Sequence, residues 1–298
     1  MRNVTLVRGA RQLLTLRGPS GPRRGTDARN LGIIEDGAVL IADGVIREVG
    51  PSRRLENLQA ARGATEIDAS GCVVLPGLVD PRAQLIREEP RHLSPRALKA
   101  LALRALEEGV RSGTTAFGVK SGELKILRVY AALRELPLTL VSTFIAPSPS
   151  SPGDAKSLAM VRRRKWADFL ETTSEEPPPI TILVPDFESE RPAIDSAAAI
   201  ALATAPNPAN MQVAIALASR TMGLTPAEAI TAATINGAHA IRRTHEIGSL
   251  EAGKSADLVI LAVPDYRELP YHFGVNLANL VMIRGTVLVE RARVKWPK

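Results

Sequence analysis

Residues 73–81 read Val73-Val74-Leu75-Pro76-Gly77-Leu78-Val79-Asp80-Pro81. A short apolar run bounded by turn residues is the pattern of a fully buried strand, and the chain changes character across it. Upstream, Asn3-Val4-Thr5-Leu6-Val7 and Ala38-Val39-Leu40-Ile41-Ala42 are rich in strand formers. Asp43-Gly44 is a hairpin turn signal before Val45-Ile46-Arg47-Glu48-Val49. Residues 17–30, rich in Gly, Pro and Arg, read as an exposed loop, and 65–75 as a second hairpin.

Downstream of Pro76 strands alternate with helices. Strands are expected at 73–80, 114–120, 138–146, 167–171, 180–185 and 199–204. Ser94 and Pro95 form a helix start, and Leu98, Leu101, Ala102 and Ala105 share one face before a stop at Gly109 or Gly113. Further helices are expected at 123–136, 210–222 and 226–242, the last capped by Thr225. Such alternation argues for a parallel α/β sheet or barrel. The tail turns β-rich again at 257–261 and 279–289, with a turn at Arg284-Gly285. The two chain ends are therefore expected to pair. The expected domains are a composite β-sandwich from 1–75 and 247–298, and a (β/α) barrel over 76–246.

With 298 residues and a hydrophobic fraction of 45%, the chain can bury a sizeable core. One cysteine, Cys72, excludes an internal disulfide framework. No apolar stretch reaches the ~18 residues of a membrane span, and the first residues lack a signal-peptide pattern, so no membrane association and a cytoplasmic location are expected. Of the 38 basic residues 30 are Arg, giving a net charge of +7. They are scattered, and only 10 aromatics are available to stack on bases. The densest run, Arg162-Arg163-Arg164-Lys165, reads as a solvated helix face, and no nucleic-acid partner is expected.

Several runs together resemble the amidohydrolase superfamily, and most closely the imidazolonepropionases. They are Val74 through Pro81, Gly113-Thr114-Thr115 with Val119-Lys120-Ser121-Gly122, and Ser142-Thr143-Phe144. Thr225-Pro226-Ala227-Glu228-Ala229-Ile230 through Asn236 follows the same likeness, as does Gly248-Ser249-Leu250-Glu251-Ala252-Gly253-Lys254 through Leu258. Leu269-Pro270-Tyr271-His272-Phe273-Gly274-Val275-Asn276 is the run most particular to imidazolonepropionases. The resemblance implies a TIM-type barrel and hydrolysis of a cyclic carbon–nitrogen bond. A zinc or iron ion, held by imidazoles and a carboxylate, would activate the water.

The chain departs from that pattern at each ligand position. Where the first strand should end in His-x-His it has Arg82-Ala83-Gln84, and Ala205 stands in place of the last strand's Asp. A substrate-contacting Glu is replaced by Gly118, and the third-strand His aligns with Ser148. Arg keeps its proton and is repelled by a dication, and Gln is a weak ligand. His92, His239, His245 and His272 show no ligand spacing. The segment is also short: 76–246 gives 171 residues, against about 250 for a complete barrel. The family's fifth and sixth strands have no counterpart between 171 and 180. The eight residues of 172–179 include three prolines, too few and too stiff for a helical crossover.

The expectation is therefore a truncated or distorted barrel on an amidohydrolase-like chain that has lost metal-dependent hydrolysis and carries neither metal nor other cofactor. Arg82, Gln84, Lys120, Ser148 and Asn207 would sit at strand carboxyl ends and hold a small anion. Alternatively, Arg82 and Lys120 make salt bridges or face solvent. Two other functions stay open: an active hydrolase of non-peptide carbon–nitrogen bonds, and an interaction subunit or homodimer formed through open strand edges.

Overall fold

A computed structural model of the chain describes residues 4–87, 92–146, 152–171, 180–189, 199–204, 210–291 and 293–296. At Gly77 the run quoted above passes from one sheet to another. β5 (Val73–Pro76) belongs to a sheet of the chain ends, and β6 (Leu78–Asp80) opens a parallel sheet. Only glycine fits at the crossing, because a Cβ on Gly77 would lie 2.1 Å from the Thr115 hydroxyl oxygen. Its N–H donates to the Asp257 carbonyl at 2.9 Å. One strand was expected over 73–80; the change of sheet divides it.

The sheet of the chain ends has nine strands. β1 (Val4–Leu14), β2 (Ile33–Ala42), β3 (Val45–Pro51) and β4 (Thr65–Asp68) come from the start of the chain. β12 (Leu258–Leu261), β13 (Ala278–Ile283), β14 (Thr286–Glu290) and β15 (Arg293–Val294) come from its end. The order is β15-β14-β13-β12-β5-β1-β2-β3, with β4 on the other half of β1, so hydrogen bonding links all nine into one sheet. The turns Asp43-Gly44 and Arg284-Gly285 have positive φ at both residues (53° and 78°, 49° and 73°), the conformation that two-residue hairpins require. Residues 65–75 are not a hairpin: β4 and β5 both run parallel to β1 and do not pair with each other.

The parallel sheet continues as β6-β7-β8-β9, with β7 (Thr114–Ser121), β8 (Thr139–Ile145) and β9 (Phe169–Glu171). Alternate residues of the strands point to opposite faces. On one face Phe117, Val119 and Leu140 pack under α2 (Pro95–Arg111) and α3 (Leu124–Leu133), through Leu98, Ala102, Leu106, Tyr130 and Leu133. The short α1 (Ser52–Glu56) lies on the nine-stranded sheet. α4 (Pro152–Arg164) contributes Val161 to a second cluster with Leu127 and Phe144. Arg162, Arg163, Arg164 and Lys165 are all exposed at its end.

β10 (Ile180–Leu183) and β11 (Ala199–Leu202) form a separate parallel pair. Among the described residues no ladder joins β9 to β10 or β11 to β6, and no closed barrel results. The expected join at 172–179 lies outside the described residues. After α5 (Met211–Arg220) the expected helix 226–242 is two, α6 (Pro226–Ala232) and α7 (Ile235–Ala240). The break has a tertiary cause: the Ala233 carbonyl accepts from Val79 N–H of β6 at 2.8 Å. From there α7 and the turn after it cover the inner face. Ala238, Ile241 and Ile247 pack on Val79, Ala116 and Val141, and Ala240 packs on Ile180, Ala199 and Ala201.

The loop 17–30 is not simply exposed. Arg23 is buried and its backbone is held at both ends by Asn236, which accepts from Arg23 N–H (2.7 Å) and donates to the Arg23 carbonyl (3.0 Å). No helix of the described residues is long and apolar enough to cross a membrane.

Candidate functional site

The carboxyl ends of the parallel strands carry Asp80 on β6, Lys120 on β7, Glu171 on β9 and Thr204 just past β11. Beyond Asp80 the chain folds back on the sheet: Ala83 N–H donates to the Gly118 carbonyl at 2.8 Å. Ala83, Leu85 and Ile86 are buried in the main core, while Arg82 and Gln84 are exposed. The alternation thus turns the two side chains at the ligand positions outward and puts alanine inside. Gly118 belongs to the same arrangement. A Cβ there would lie 2.4 Å from the Pro81 carbonyl oxygen and 2.7 Å from an Ile241 methyl. The space that a longer side chain at 118 would need is filled by the chain itself.

Asp80 is 1% exposed. One carboxyl oxygen accepts from Arg82 N–H at 3.1 Å, and the other from the Thr204 hydroxyl. Burial raises its pKa to about 6, against the opposing pull of the Thr204 and Arg82 hydrogen bonds. Lys120 forms an ion pair with Glu171, both partly exposed, so its charge is already matched. Arg82 has no carboxylate within ion-pair distance among the described residues. Ser148 and Asn207, and also Ala205, lie outside the described residues. Of the five expected site residues, then, Arg82, Gln84 and Lys120 are placed at strand ends. Of these three, Lys120 alone is engaged by a side chain of the described residues.

Arg82, Gln84 and Gly118 supply no strong metal ligand, and no group of three or more His, Cys, Asp or Glu among the described residues is arranged to hold a metal ion. His239 on α7 is half-buried, and its pKa is lowered by burial, with Lys254 and Arg23 adding to the effect. His245 meets Glu246 at 2.9 Å and His272 meets Glu268 at 3.3 Å, while His92 is exposed. Sequence reading overlooked Asp80, Thr204 and Glu171 as site residues. Their only signal was position, each at or just past the carboxyl end of an expected strand.

A second polar cluster lies at the opposite strand ends. Arg134 donates to Ser142 Oγ (2.5 Å) and to the Lys165 and Trp166 carbonyls, and it pairs with Asp168 at 3.0 Å. Ser142 N–H donates to the same carboxylate at 2.7 Å. Residues at that end of such a sheet serve stability rather than chemistry.

Residues 180–288 match the model of the amidohydrolase family. The imidazolonepropionase of Geobacillus kaustophilus (strain HTA426) is 30% identical over 417 aligned residues, covering 97% of this chain and 98% of the relative. That of Brevibacillus brevis (strain 47) is 29% identical over 424, covering 99% and 100%. Against 298 residues here, alignments of that length leave more than a hundred positions with no residue of this chain opposite them. Among solved structures, a triazine hydrolase variant superposes with a TM-score of 0.75 at 14% identity (98% of this chain, 96% of the other). E. coli guanine deaminase superposes with 0.69 at 14% identity (97% and 99%). The shared fold, the order of the matched runs and the full-length relatives together show that this chain belongs to the amidohydrolase family.

Proposed function

We propose that the chain is a homologue of the imidazolonepropionases that keeps the amidohydrolase scaffold without its metal-dependent hydrolysis. One observation carries the reading. At the strand ends where the family's chemistry would stand, Arg82 and Gln84 face outward and the space at Gly118 is taken by the Pro81 carbonyl and Ile241. A water cannot be activated by a metal that has no ligands. In this reading residues 76–246 are a shortened barrel. Residues 1–75 and 247–298 are a composite β-sandwich, and open strand edges make a homodimer the expected assembly.

The test is metal analysis of the purified chain after incubation with zinc and iron, together with an assay on imidazolone propionate. Less than about 0.1 equivalent of retained metal and no turnover are expected. Stoichiometric metal with turnover overturns the reading in favour of an active carbon–nitrogen hydrolase, the activity that the relatives' names suggest.

A second reading concerns Arg82, an exposed cation with no acidic partner among the described residues. It favours a small carboxylate held at the strand ends, with Gln84 as a further donor. A thermal-shift screen with dicarboxylates at millimolar concentration tests it, and the absence of any shift removes the idea.

A further inference from the structure

The run 269–276, the one most particular to imidazolonepropionases, supplies no residue to the strand-end site. Three of its side chains are exposed instead: Tyr271 (74%), Phe273 (40%) and Val275 (54%). Phe187, which follows β10, is 76% exposed, and its ring meets that of Phe273 edge-on at 6.1 Å between centroids. Phe187, Tyr271 and Val275 are the three most exposed large hydrophobic residues of the described chain. Single exposed apolar residues are ordinary, but a cluster of them marks a surface that another molecule covers.

The patch is held in shape from beneath. The Arg220 guanidinium, at the end of α5, donates to the Pro270 carbonyl at 3.3 Å and to the Tyr271 carbonyl at 2.9 Å. It also lies over the Phe273 ring, 5.7 Å from the centroid. The next residue, Thr221, donates its hydroxyl to the Asp186 carbonyl at 2.9 Å. Both aromatic segments are thus anchored on one helix end, and little ordering entropy is left to lose on contact.

Charge decides the occupant. The chain carries +7, so two copies repel one another over most of their surface. Here the signs are mixed: Arg220 is exposed, and so are Asp186 and Glu188 on either side of Phe187. Neither Arg220 nor Glu188 has an oppositely charged side chain within ion-pair distance among the described residues. A two-fold contact sets residue i against j and j against i. A patch with an unmatched cation and an unmatched carboxylate around an aromatic centre therefore complements itself. Aromatic residues and Arg are also the types enriched in protein interfaces.

We infer that this patch is the two-fold contact of a homodimer, in which Arg220 of each copy faces Glu188 of the other around a buried centre of Phe187, Tyr271 and Phe273. The inference rests on the homodimer expected above, moves its contact from the strand edges to this patch, and is independent of whether hydrolysis is retained.

The experiment is sedimentation of the full chain between about 1 and about 100 µM. It compares the wild type, Phe187→Ser, Glu188→Arg, and the exchange that combines Glu188→Arg with Arg220→Glu. The expected result is a reversible wild-type dimer with a Kd in the micromolar range. Phe187→Ser and Glu188→Arg, both at exposed positions, each weaken it by about tenfold or more. The exchange sets opposite charges face to face again and brings the Kd back to within about threefold of the wild type. A wild type that is monomeric at every concentration overturns the inference and the expected homodimer together. A dimer unchanged in Phe187→Ser or in Glu188→Arg overturns the inference alone and leaves the strand edges as the contact. An exchanged variant that folds, as judged by circular dichroism, yet stays monomeric overturns it too. Arg220 also holds the backbone at 270–271, so if the exchanged variant does not fold the two single variants decide, and both must weaken the dimer.

Discussion

Thr204 donates its hydroxyl to the carboxyl group of Asp80, and this bond joins β11 to β6, two strands that share no ladder among the described residues. The acid at the mouth of the sheet is thus a structural tie. Replacing Thr204 with Val keeps the shape and removes the hydroxyl donor from a buried carboxyl oxygen. A loss of about 1–3 kcal/mol is expected in urea unfolding, and an unchanged midpoint would contradict the tie.

The same carboxyl group sets a pH dependence. Its folded pKa of about 6 lies above the ordinary value of 3.8. The folded state therefore holds the proton more tightly, and the contribution to stability is full below about pH 4 and lost as pH rises through 6. Asp80→Asn has no such proton to lose. Relative to this variant, the wild type should lose on the order of 3 kcal/mol between pH 4 and pH 7. Parallel pH profiles of the two proteins would show that Asp80 does not titrate in this window.

Gly118 is held by close packing rather than by chemistry. Gly118→Ala places a methyl group against the Pro81 carbonyl, a backbone group with little freedom to move. About 1–3 kcal/mol of destabilisation is expected. Gly118→Glu, which restores the family's residue, is expected to destabilise further and to confer no hydrolysis. Denaturant midpoints and the imidazolone propionate assay check both.

Asn236, on α7, fastens the loop 17–30 beside β11. Its three side-chain hydrogen bonds, to Arg23 twice and to Ile200 once, are buried. Asn236→Ala should release the loop before it unfolds the chain, so trypsin should cut first at Arg17, Arg23 or Arg24. Equal cleavage rates in wild type and variant would show that the loop is held by other contacts.

Lys120 and Glu171 are both partly exposed, so breaking their pair should change stability by less than about 1 kcal/mol. Glu171→Gln frees the Lys120 charge at the strand ends. If the strand ends hold a carboxylate, this variant should bind dicarboxylates more tightly than the wild type in a calorimetric titration, and Lys120→Met should not.

Much of the fold was legible in the residues because the signals are local. Strand runs, the Asp43-Gly44 and Arg284-Gly285 turns, the Ser94-Pro95 helix start and the Thr225 cap each depend on neighbours a few residues away. The misses were non-local. The strand over 73–80 is divided because Gly77 meets Thr115 and Asp257. The helix after Thr225 breaks because Ala233 meets Val79, and 65–75 fails as a hairpin because both halves pair with β1.

The site divides in the same way. Sequence alone determined that Arg82, Gln84 and Gly118 stand where the resemblance implies two metal ligands and a substrate-contacting Glu. Only the tertiary structure decided where those residues face, that Lys120 is matched by Glu171, and that Asp80 spends its carboxyl group on Thr204. The reason is physical: residue identity fixes which donors and charges exist, but partners distant in sequence meet only when the sheets pack.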